Sequence, residues 1–482
     1  QYLSTRDSAL RVSAQEAIVR GLAPQSGLFV PETFPQADLD AWKNLSYPEL
    51  AEKVLAGFLT DYSADFLHTA TASTYGAAFG GKAGETVSRD GLYSLELWHG
   101  PTCAFKDYAL QLMPKLLVEA KKMLGRTETT RILVATSGDT GKAALAGYAD
   151  LDGIEIEVFY PNDGTSEIQH LQMATQKGEN VQVYAVQGNF DDAQTGVKKV
   201  FADADVAAEL EKRGIRLSSA NSINWGRLVP QIVYYFYAYF RLAEQGAVEW
   251  GKPVDFCVPT GNFGDILAGY YAKQMGLPVG RLVCASNKNN VLTDFLRTGT
   301  YDARRTFYKT TSPSMDILIS SNLERLLYHV TGSDAEVAGL MKSLNETGRY
   351  TVRPETLKHQ ESFDCGWSSE EQVAGEIRAR YEKDGYLCDT HTAVAFHVAA
   401  QKKRDGVPMV VLSTASPFKF PRSVLEALGH TAPENDFEAM QRWKGYRPHR
   451  SRKFAVLRQK AERFSTVIDP AQIAEVALGC QA

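Results

Sequence analysis

Hydrophobic and polar positions divide the chain into an early helical part and a later part in which strands and helices alternate. Before about residue 90, a capping-box pattern at Ser13–Glu16 and a proline at position 48 mark two helix starts. After Leu92, apolar runs alternate with helical patterns. Such alternation predicts a mostly parallel sheet covered by helices on both faces. The predicted strands are Tyr93–Leu97, Arg131–Ala135, Glu155–Tyr160, Val181–Val186, Ile215–Ser218, Asp255–Val258, Arg281–Ala285 and Met409–Ser413.

The change of pattern near residue 90 also sets the predicted domains. A chain of 482 residues exceeds one ordinary core. We predict a mostly helical N-terminal accessory domain over residues 1–90, a smaller α/β domain over 91–220, and a larger α/β domain over 221–482 that ends in a helical segment. Ligands of parallel sheets bind outside the carboxyl ends of the strands, so chemistry is expected in the turns that follow the predicted strands.

The composition argues against nucleic-acid-binding, membrane-spanning and disulfide-rich classes of protein. A net charge of -5 argues against nucleic acid or an anionic membrane as a partner, and the longest apolar stretch, Ile232–Leu242, is too short to span a bilayer. The six cysteines form no CxxC pair and residues 1–20 show no signal-peptide pattern, so we predict a cytoplasmic protein without a disulfide framework or a metal site. The basic segment Lys444–Arg463 is interpreted as a solvated or interdomain face rather than a nucleic-acid site.

Lys106 lies at a predicted strand-to-helix turn. Its segment, His99–Asp107, stands between the apolar run Leu92–Trp98 and a helical pattern over Tyr108–Leu124. A partly desolvated lysine has a lowered pKa and can attack an aldehyde. The alternative is a solvated lysine at a helix N-terminus. The presence of three further turns with candidate ligand-binding groups favours the reactive amine.

Three further turns follow predicted strands. Thr136–Lys142 and Pro259–Asp265 each lead into a helix, where free backbone N–H groups can bind an anion, although a capped turn without a ligand is the alternative. The first lacks the Walker A spacing, and the second lacks the GxGxxG spacing of a dinucleotide site, so a phosphate monoester suits it better than NAD. Leu412–Phe420 leaves hydroxyl groups at the end of a buried strand. A reactive lysine, a phosphate-binding turn and a hydroxyl group able to meet a ring nitrogen together suit pyridoxal 5′-phosphate (PLP).

Six motifs are spread over most of the chain: HGPTCAFKD at 99–107, SGDTGKAA at 137–144, NSINWGR at 221–227, PTGNFGDILAGYYAK at 259–273, SMDILISSNLERLL at 314–327 and DTHTAVAFH at 389–397. Together they resemble the threonine synthase family, in the long form of fungi and many bacteria. The resemblance implies PLP as cofactor and an α/β fold of the tryptophan synthase β-like class (fold type II), with two open, mostly parallel α/β domains and a helical N-terminal domain. Where the family commonly reads TAHPAKF, this chain has Ser416 and Phe418 in place of histidine and alanine.

The resemblance also implies roles for individual residues. Lys106 would carry the cofactor on its amine and act as the catalytic base, and Thr414 would face the pyridine nitrogen. The residues implied to bind the cofactor are Lys106, Phe105, Gly261, Asn262, Phe263, Gly264, Asp265 and Thr414. The residues expected at the substrate are Ser137, Gly138, Asp139, Thr140, Asn221, Ser222, Asn224 and Arg227. As a lone histidine, His391 is expected to be structural rather than catalytic.

The reaction implied by the resemblance converts O-phospho-L-homoserine and water to L-threonine and phosphate, through γ-elimination and β-hydration. Two alternatives stay open at this point: a phospho-lyase of the same family that yields 2-oxobutyrate, and a non-catalytic ligand-binding homologue. The expected partner is a small-molecule substrate, with neither nucleic acid nor membrane. A monomer is expected by analogy with the family.

Overall fold

The structure is a computed structural model that describes residues 1–358, 362–443 and 452–479. Its strands are β1 Tyr2–Ser4, β2 Asp7–Val12, β3 Phe29–Pro31, β4 Glu85–Arg89, β5 Leu92–Glu96, β6 Thr129–Ala135, β7 Ile154–Pro161, β8 Val181–Val186, β9 Ile215–Ser218, β10 Val254–Pro259, β11 Val279–Ser286, β12 Thr300–Asp302, β13 Arg349–Thr351, β14 Phe363–Trp367, β15 Met409–Ser413 and β16 Val467–Ile468.

Helices connect most of these strands. They are α1 Ala14–Arg20, α2 Leu39–Trp42, α3 Tyr47–Phe58, α4 Ala64–Tyr75, α5 Asp107–Leu110, α6 Met113–Met123, α7 Asp139–Tyr148, α8 Glu167–Ala174, α9 Phe190–Ala202, α10 Ala204–Lys212, α11 Trp225–Leu228, α12 Ile232–Glu244, α13 Gly264–Gln274, α14 Val291–Thr298, α15 Leu323–Thr331, α16 Asp334–Thr347, α17 Pro354–Lys358, α18 Glu370–Asp384, α19 Thr390–Lys402, α20 Pro421–Ala427, α21 Asp436–Gln441, α22 Arg452–Ala455 and α23 Ile473–Ala477. Among these described helices, none is long and apolar enough to cross a bilayer.

Two mostly parallel sheets form the framework. The larger has the strand order β14-β11-β10-β15-β5-β4 and is parallel except for its edge strand β4. The smaller has the order β16-β8-β7-β6-β9 and is parallel throughout. Each parallel pair needs a crossover, and the intervening helices provide it. The predicted α/β class with mostly parallel sheets is confirmed.

Both faces of the larger sheet are buried, as expected for strands composed mostly of apolar residues. Every residue of β10 is buried. Phe256 and Val258 lie in the same apolar core as Ile266 of α13, whereas Cys257 lies in the core formed with Phe396 of α19. Successive side chains of a strand point to opposite faces, so helices on both sides are needed to cover this sequence.

The N-terminal part is mostly helical, as predicted, but it also contains the antiparallel sheet β2-β1-β3. The eight predicted strands all occur. The helix predicted over Tyr108–Leu124 is divided into α5 and α6, because Pro114 lacks the N–H that a continuing helix needs and instead occupies the first turn of α6.

The sheets cut across the predicted domain boundaries. Strand β5, which precedes Lys106, pairs with β15 in the larger sheet, and β16 from the C-terminal part pairs with β8 in the smaller one. The boundaries at residues 90 and 220 stay a prediction.

In the basic segment Lys444–Arg463, residues 444–451 lie outside the described part. Beyond them, Lys453 Nζ donates to the Gly100 carbonyl at 2.7 Å, which places this basic side chain against the Lys106 turn.

Candidate active site

A cavity of about 620 Å³ lies where turns of the two parallel sheets meet. The turns that follow β5, β6, β10 and β15 all contribute to its wall, as expected for the carboxyl ends of parallel strands. The predicted site residues that line it are Phe105, Lys106, Ser137, Asp139, Thr140, Asn221, Ser222, Arg227, Gly261, Asn262, Phe263, Gly264, Asp265 and Thr414.

Gly138 and Asn224 lie behind the cavity wall. A Cβ atom on Gly138, whose φ is +137°, would be 2.6 Å from the Gln169 side chain. Asn224 begins α11: its Oδ1 accepts from the Gly226 N–H at 2.9 Å and its Nδ2 donates to the Ile18 carbonyl at 3.0 Å. Close packing against Gln169 therefore explains the glycine at position 138, and the two hydrogen bonds explain the asparagine at position 224. Both residues support the turns of the site, and their contact with substrate stays a prediction.

Lys106 lies at the start of α5 with its amine beside the ring of Phe105, 5.4 Å from the ring centroid. Burial lowers the pKa of this amine to about 8, while the nearby Asp139 carboxylate opposes the shift. An amine with this pKa is partly neutral near pH 7, which a nucleophile or a general base requires.

The turn that carries Lys106 is held by hydrogen bonds beneath it. The buried Asp107 carboxylate accepts from the Thr102 N–H at 2.9 Å and from its hydroxyl at 2.6 Å. The Phe105 N–H donates to the Thr414 carbonyl at 2.8 Å. These bonds fix the reactive amine relative to Thr414, whose hydroxyl has no recorded partner within the described residues.

The turn before α13 is shaped to receive an anion. Phe263 adopts a left-handed φ of +64°, which turns the chain sharply into the helix. Among the described residues, no acceptor pairs with the backbone N–H groups of Gly261, Asn262, Phe263 and Gly264. Free N–H groups at a helix N-terminus bind phosphate well. A Cβ atom on Gly261 would be 3.0 Å from the Ser314 carbonyl, so this position favours glycine.

Asp265 lies in the first turn of α13 with its carboxyl group buried. Oδ1 accepts hydrogen bonds from the hydroxyls of Tyr234 and Tyr235, and Oδ2 is buried without a partner in the described chain. Burial raises the pKa of Asp265 to about 7, although the two tyrosine hydrogen bonds and Lys106 oppose this shift. Near pH 7 the carboxyl group is therefore divided between its neutral and its ionised form.

Arg227 brings a second buried cation to the cavity. Its Nη1 donates to the Ala220 carbonyl, whereas Nε has no hydrogen-bond partner among the described residues. Burial lowers the pKa of the guanidinium to about 10. The planar fork of donors retains its charge at neutral pH and suits a carboxylate or a phosphate.

Comparisons with known proteins match most of the chain. Family models described as threonine synthase N terminus, pyridoxal-phosphate dependent enzyme, and threonine synthase C-terminal match residues 1–75, 84–359 and 392–477. A threonine synthase from Pseudomonas aeruginosa is 41% identical over 435 residues, which cover 89% of this chain and 90% of the relative. The chain belongs to the threonine synthase family. The predicted family, PLP dependence and fold type are thereby confirmed.

Two further relatives add detail. A solved structure of PLP-bound threonine synthase from Brucella melitensis has a TM-score of 0.87 and 38% identity, with 99% of each chain covered. Threonine synthase-like 1 from Homo sapiens is 40% identical over 452 residues, covering 89% of this chain and 60% of the human protein. This chain therefore spans about 60% of the length of that relative.

Asn322 and Arg325 stabilise the site of this threonine synthase family member, and neither was predicted as a site residue. The Asn322 N–H donates to the Asn262 carbonyl at 3.0 Å and its Nδ2 donates to the Ser222 carbonyl at 3.1 Å. The buried guanidinium of Arg325 donates to the carbonyls of Phe29 and Ile223, at 2.8 and 2.7 Å, and to Asn322 Oδ1. Both residues lie in the SMDILISSNLERLL motif, whose spacing alone gives no sign of these long-range contacts.

Replacing Arg325 with methionine should lower the free energy of unfolding by about 3 kcal/mol, because three buried acceptors lose a charged donor. The measurement is the midpoint of urea unfolding. Arg304→Met is the control, since Arg304 pairs with Asp302 at the exposed surface and its loss should barely move the midpoint. Equal midpoints for the two variants would contradict the role given to Arg325.

His391 lines the cavity with both ring nitrogens occupied. Nδ1 donates to Asp389 at 2.7 Å, and Nε2 accepts from the Ser314 N–H at 3.1 Å, which requires a neutral ring. These bonds hold Ser314, whose hydroxyl is buried at the cavity without a partner in the described part. The arrangement agrees with the structural role expected for His391.

The two departures from the family pattern do not reach the cavity wall. Ser416 Oγ accepts from the Phe418 N–H at 3.3 Å and thereby caps a short 3₁₀ helix. The Phe418 ring packs on Trp443, with 4.9 Å between ring centroids. Both substitutions therefore act on the turn after β15 rather than on a ligand in the cavity.

Proposed function

We propose that this protein is a threonine synthase, which converts O-phospho-L-homoserine and water to L-threonine and phosphate with PLP as cofactor. The observation that carries the proposal is the presence, in one cavity, of two features: the Lys106 amine with its lowered pKa, and a helix N-terminus whose N–H groups have no acceptor among the described residues. Sequence identity of 41% to the Pseudomonas aeruginosa threonine synthase supports the same reaction.

The residues present fit the cofactor. The N–H groups of Gly261–Gly264 would hold its phosphate, and Lys106 would bind it covalently. The hydroxyl of Thr414, which has no partner in the described part of the chain, would face its ring nitrogen. PLP, when bound, supplies an electron sink for a carbanion at the α-carbon of an amino acid. A hydroxyl group, unlike a carboxylate, does not enforce a protonated ring nitrogen, which agrees with the fold type.

Lys106 would move the protons of the reaction. With its amine not bound to PLP, Lys106 Nζ would remove protons from the α- and β-carbons of the substrate and return protons to the γ- and α-carbons. Phosphate would leave from the γ-carbon, and water would add at the β-carbon. A pKa of about 8 suits both directions, because the amine then accepts and releases protons near the working pH.

Arg227, with Asn221 and Ser222, would bind the anionic groups of the substrate. All three line the cavity, and Arg227 Nε has no hydrogen-bond partner among the described residues. A guanidinium that is already desolvated gains strongly from an anion that enters the same cavity. Ser137, Asp139 and Thr140 also line the cavity and would border the substrate there.

Identification of the products of O-phospho-L-homoserine tests the proposal. PLP-loaded protein should release phosphate and threonine in equal amounts. Phosphate together with 2-oxobutyrate and ammonia would move the protein to the phospho-lyase alternative. A protein that neither binds PLP nor releases phosphate would instead be the ligand-binding homologue. Phe418→Ala is the control variant. Phe418 lies outside the cavity wall, so its replacement should leave the products unchanged.

The finer predictions of location and assembly belong to this proposal. The five described cysteines are all buried and free, which supports a reducing compartment such as the cytoplasm. A monomer without a nucleic-acid partner agrees with the acidic net charge of -5. Sedimentation of the purified chain measures the oligomeric state directly.

A further inference from the structure

A buried ion pair joins the turns that surround Lys106. Lys419 Nζ lies 2.8 Å from Asp139 Oδ1, and both side chains are almost completely excluded from solvent. The same ammonium donates to the Thr102 carbonyl at 3.0 Å, and Gln169 Nε2 donates to the same oxygen of Asp139 at 3.0 Å. The pair thus connects the turn after β6, the turn after β15 and the turn that carries Lys106.

The backbone around Lys419 is fixed as firmly as its side chain. The Ser416 N–H donates to the Cys103 carbonyl at 3.0 Å, and the Lys419 N–H donates to the Ser416 carbonyl at 3.1 Å. Ser166 Oγ donates to the Lys419 carbonyl at 2.9 Å. These hydrogen bonds fix the position of the buried Lys419 ammonium group. A fixed position is needed if its charge is to act on particular neighbouring groups.

Asp139 is paired with the amine of Lys419, and its charge also acts on the amine of Lys106. Its recorded hydrogen bonds and its ion pair all use Oδ1, and both Asp139 and Lys106 line the cavity. Burial alone would raise the pKa of Asp139, yet Lys419 and Lys106 hold it well below its usual range. Four charged groups act on Lys106 besides its burial: Asp139 and Asp265 favour its proton, and Arg227 and Lys419 disfavour it.

We propose that Lys419 is a positioning residue for Lys106: it serves as the permanent counter-ion of Asp139, so that Lys106 can release its proton without leaving a buried carboxylate unpaired. A buried charge without a partner costs several kcal/mol. Without Lys419, the ammonium form of Lys106 becomes the partner of Asp139, and the amine stays protonated at neutral pH. This inference rests on the proposed function, because it concerns the same amine.

The test is the pH dependence of covalent PLP attachment to Lys106 in the full-length, cofactor-depleted protein. Attachment is trapped with borohydride and measured by mass spectrometry of the Lys106 peptide, so turnover is not needed. The wild-type rate should rise with a midpoint near pH 8, the pKa of the amine. In Lys419→Met the midpoint should move up by about one pH unit, so that attachment at pH 7 is about tenfold slower.

Matched variants separate charge from packing. Lys419→Arg keeps the charge and should restore the wild-type midpoint, whereas Asp139→Asn should move it downward. The double variant Asp139→Asn/Lys419→Met removes both charges and should return the midpoint close to the wild-type value. If Lys419→Met does not fold, the downward shift in Asp139→Asn and the return toward wild type in the double variant carry the test.

The outcomes distinguish two failures. Wild-type protein that attaches PLP at Lys106, combined with midpoints that coincide in all folded variants, overturns the role of Lys419 and leaves the proposed function intact. Wild-type protein that attaches no cofactor at Lys106 overturns the proposed function and this inference together. Opposite shifts in the two single variants support the inference, because a merely structural role of Lys419 would lower the yield of folded protein without moving the midpoint in either direction.

Discussion

Replacing Lys106 with alanine is expected to abolish covalent PLP attachment and to lower turnover of O-phospho-L-homoserine about a thousandfold or more. The variant loses the amine that attacks the aldehyde and the base that moves protons at the reacting carbons. The cup formed by Gly261–Gly264 is unchanged, so the variant should still bind PLP without covalent attachment. Absorbance spectra and the mass after borohydride treatment distinguish bound from attached cofactor.

Lys142→Met is the matched control for this variant. Lys142 is also partly buried, and burial lowers the pKa of its amine to about 8. Its Nζ, however, donates to Gln176 Oε1, and the residue does not line the cavity. A low pKa by itself therefore does not identify the reactive lysine. The control should still attach PLP. Attachment that survives in Lys106→Ala and disappears in Lys142→Met would reverse the assignment.

The positions of the four turns could be predicted from the sequence because each follows a short, mostly apolar run that predicts a strand. Such runs are typical of strands buried on both faces, as β10 and β15 are. Parallel strands bring their carboxyl ends to the same edge, so the turns meet without any further information from the chain. This is why Lys106, Gly261 and Thr414 could be assigned to one site before any coordinates were known.

The residues that hold these turns in place could not be found in this way. Arg325 binds the Phe29 carbonyl 296 positions away in the sequence, and Lys419 binds the Thr102 carbonyl 317 positions away. No periodicity or local spacing records such contacts. Strands β1 and β3 escaped prediction for a related reason, since runs of three residues are too short to show an alternation.

Asp139 shows how a motif can place a residue correctly while its chemistry stays hidden. The SGDTG turn is expected at an anionic part of the substrate, where a bare carboxylate would be repelled. In the structure this carboxylate is neutralised by Lys419, which comes from a different sheet. The sequence contains both residues, but only the fold brings them within 2.8 Å.

Replacing Asp265 with asparagine is expected to stabilise the cofactor-free protein at pH 8 by about 4 kcal/mol. Burial raises the pKa of this carboxyl to about 7, against about 4 in the unfolded chain. Between these two values the unfolded chain has released its proton and the folded chain has not, so wild-type stability falls as pH rises. Asparagine has no proton to release, and its oxygen can still accept from Tyr234 and Tyr235.

Urea unfolding of both proteins between pH 5 and 9 measures this effect. The advantage of Asp265→Asn should grow by about 1.4 kcal/mol per pH unit up to pH 7 and should then level off. Asp139→Asn is the control with the opposite sign, because the lowered pKa of Asp139 stabilises the folded chain above pH 4 and the variant loses that stabilisation. A difference between Asp265→Asn and wild type that does not vary with pH would mean that the Asp265 carboxyl is already ionised in the folded protein. The orphaned Oδ2 atom would then need a cationic partner rather than a proton.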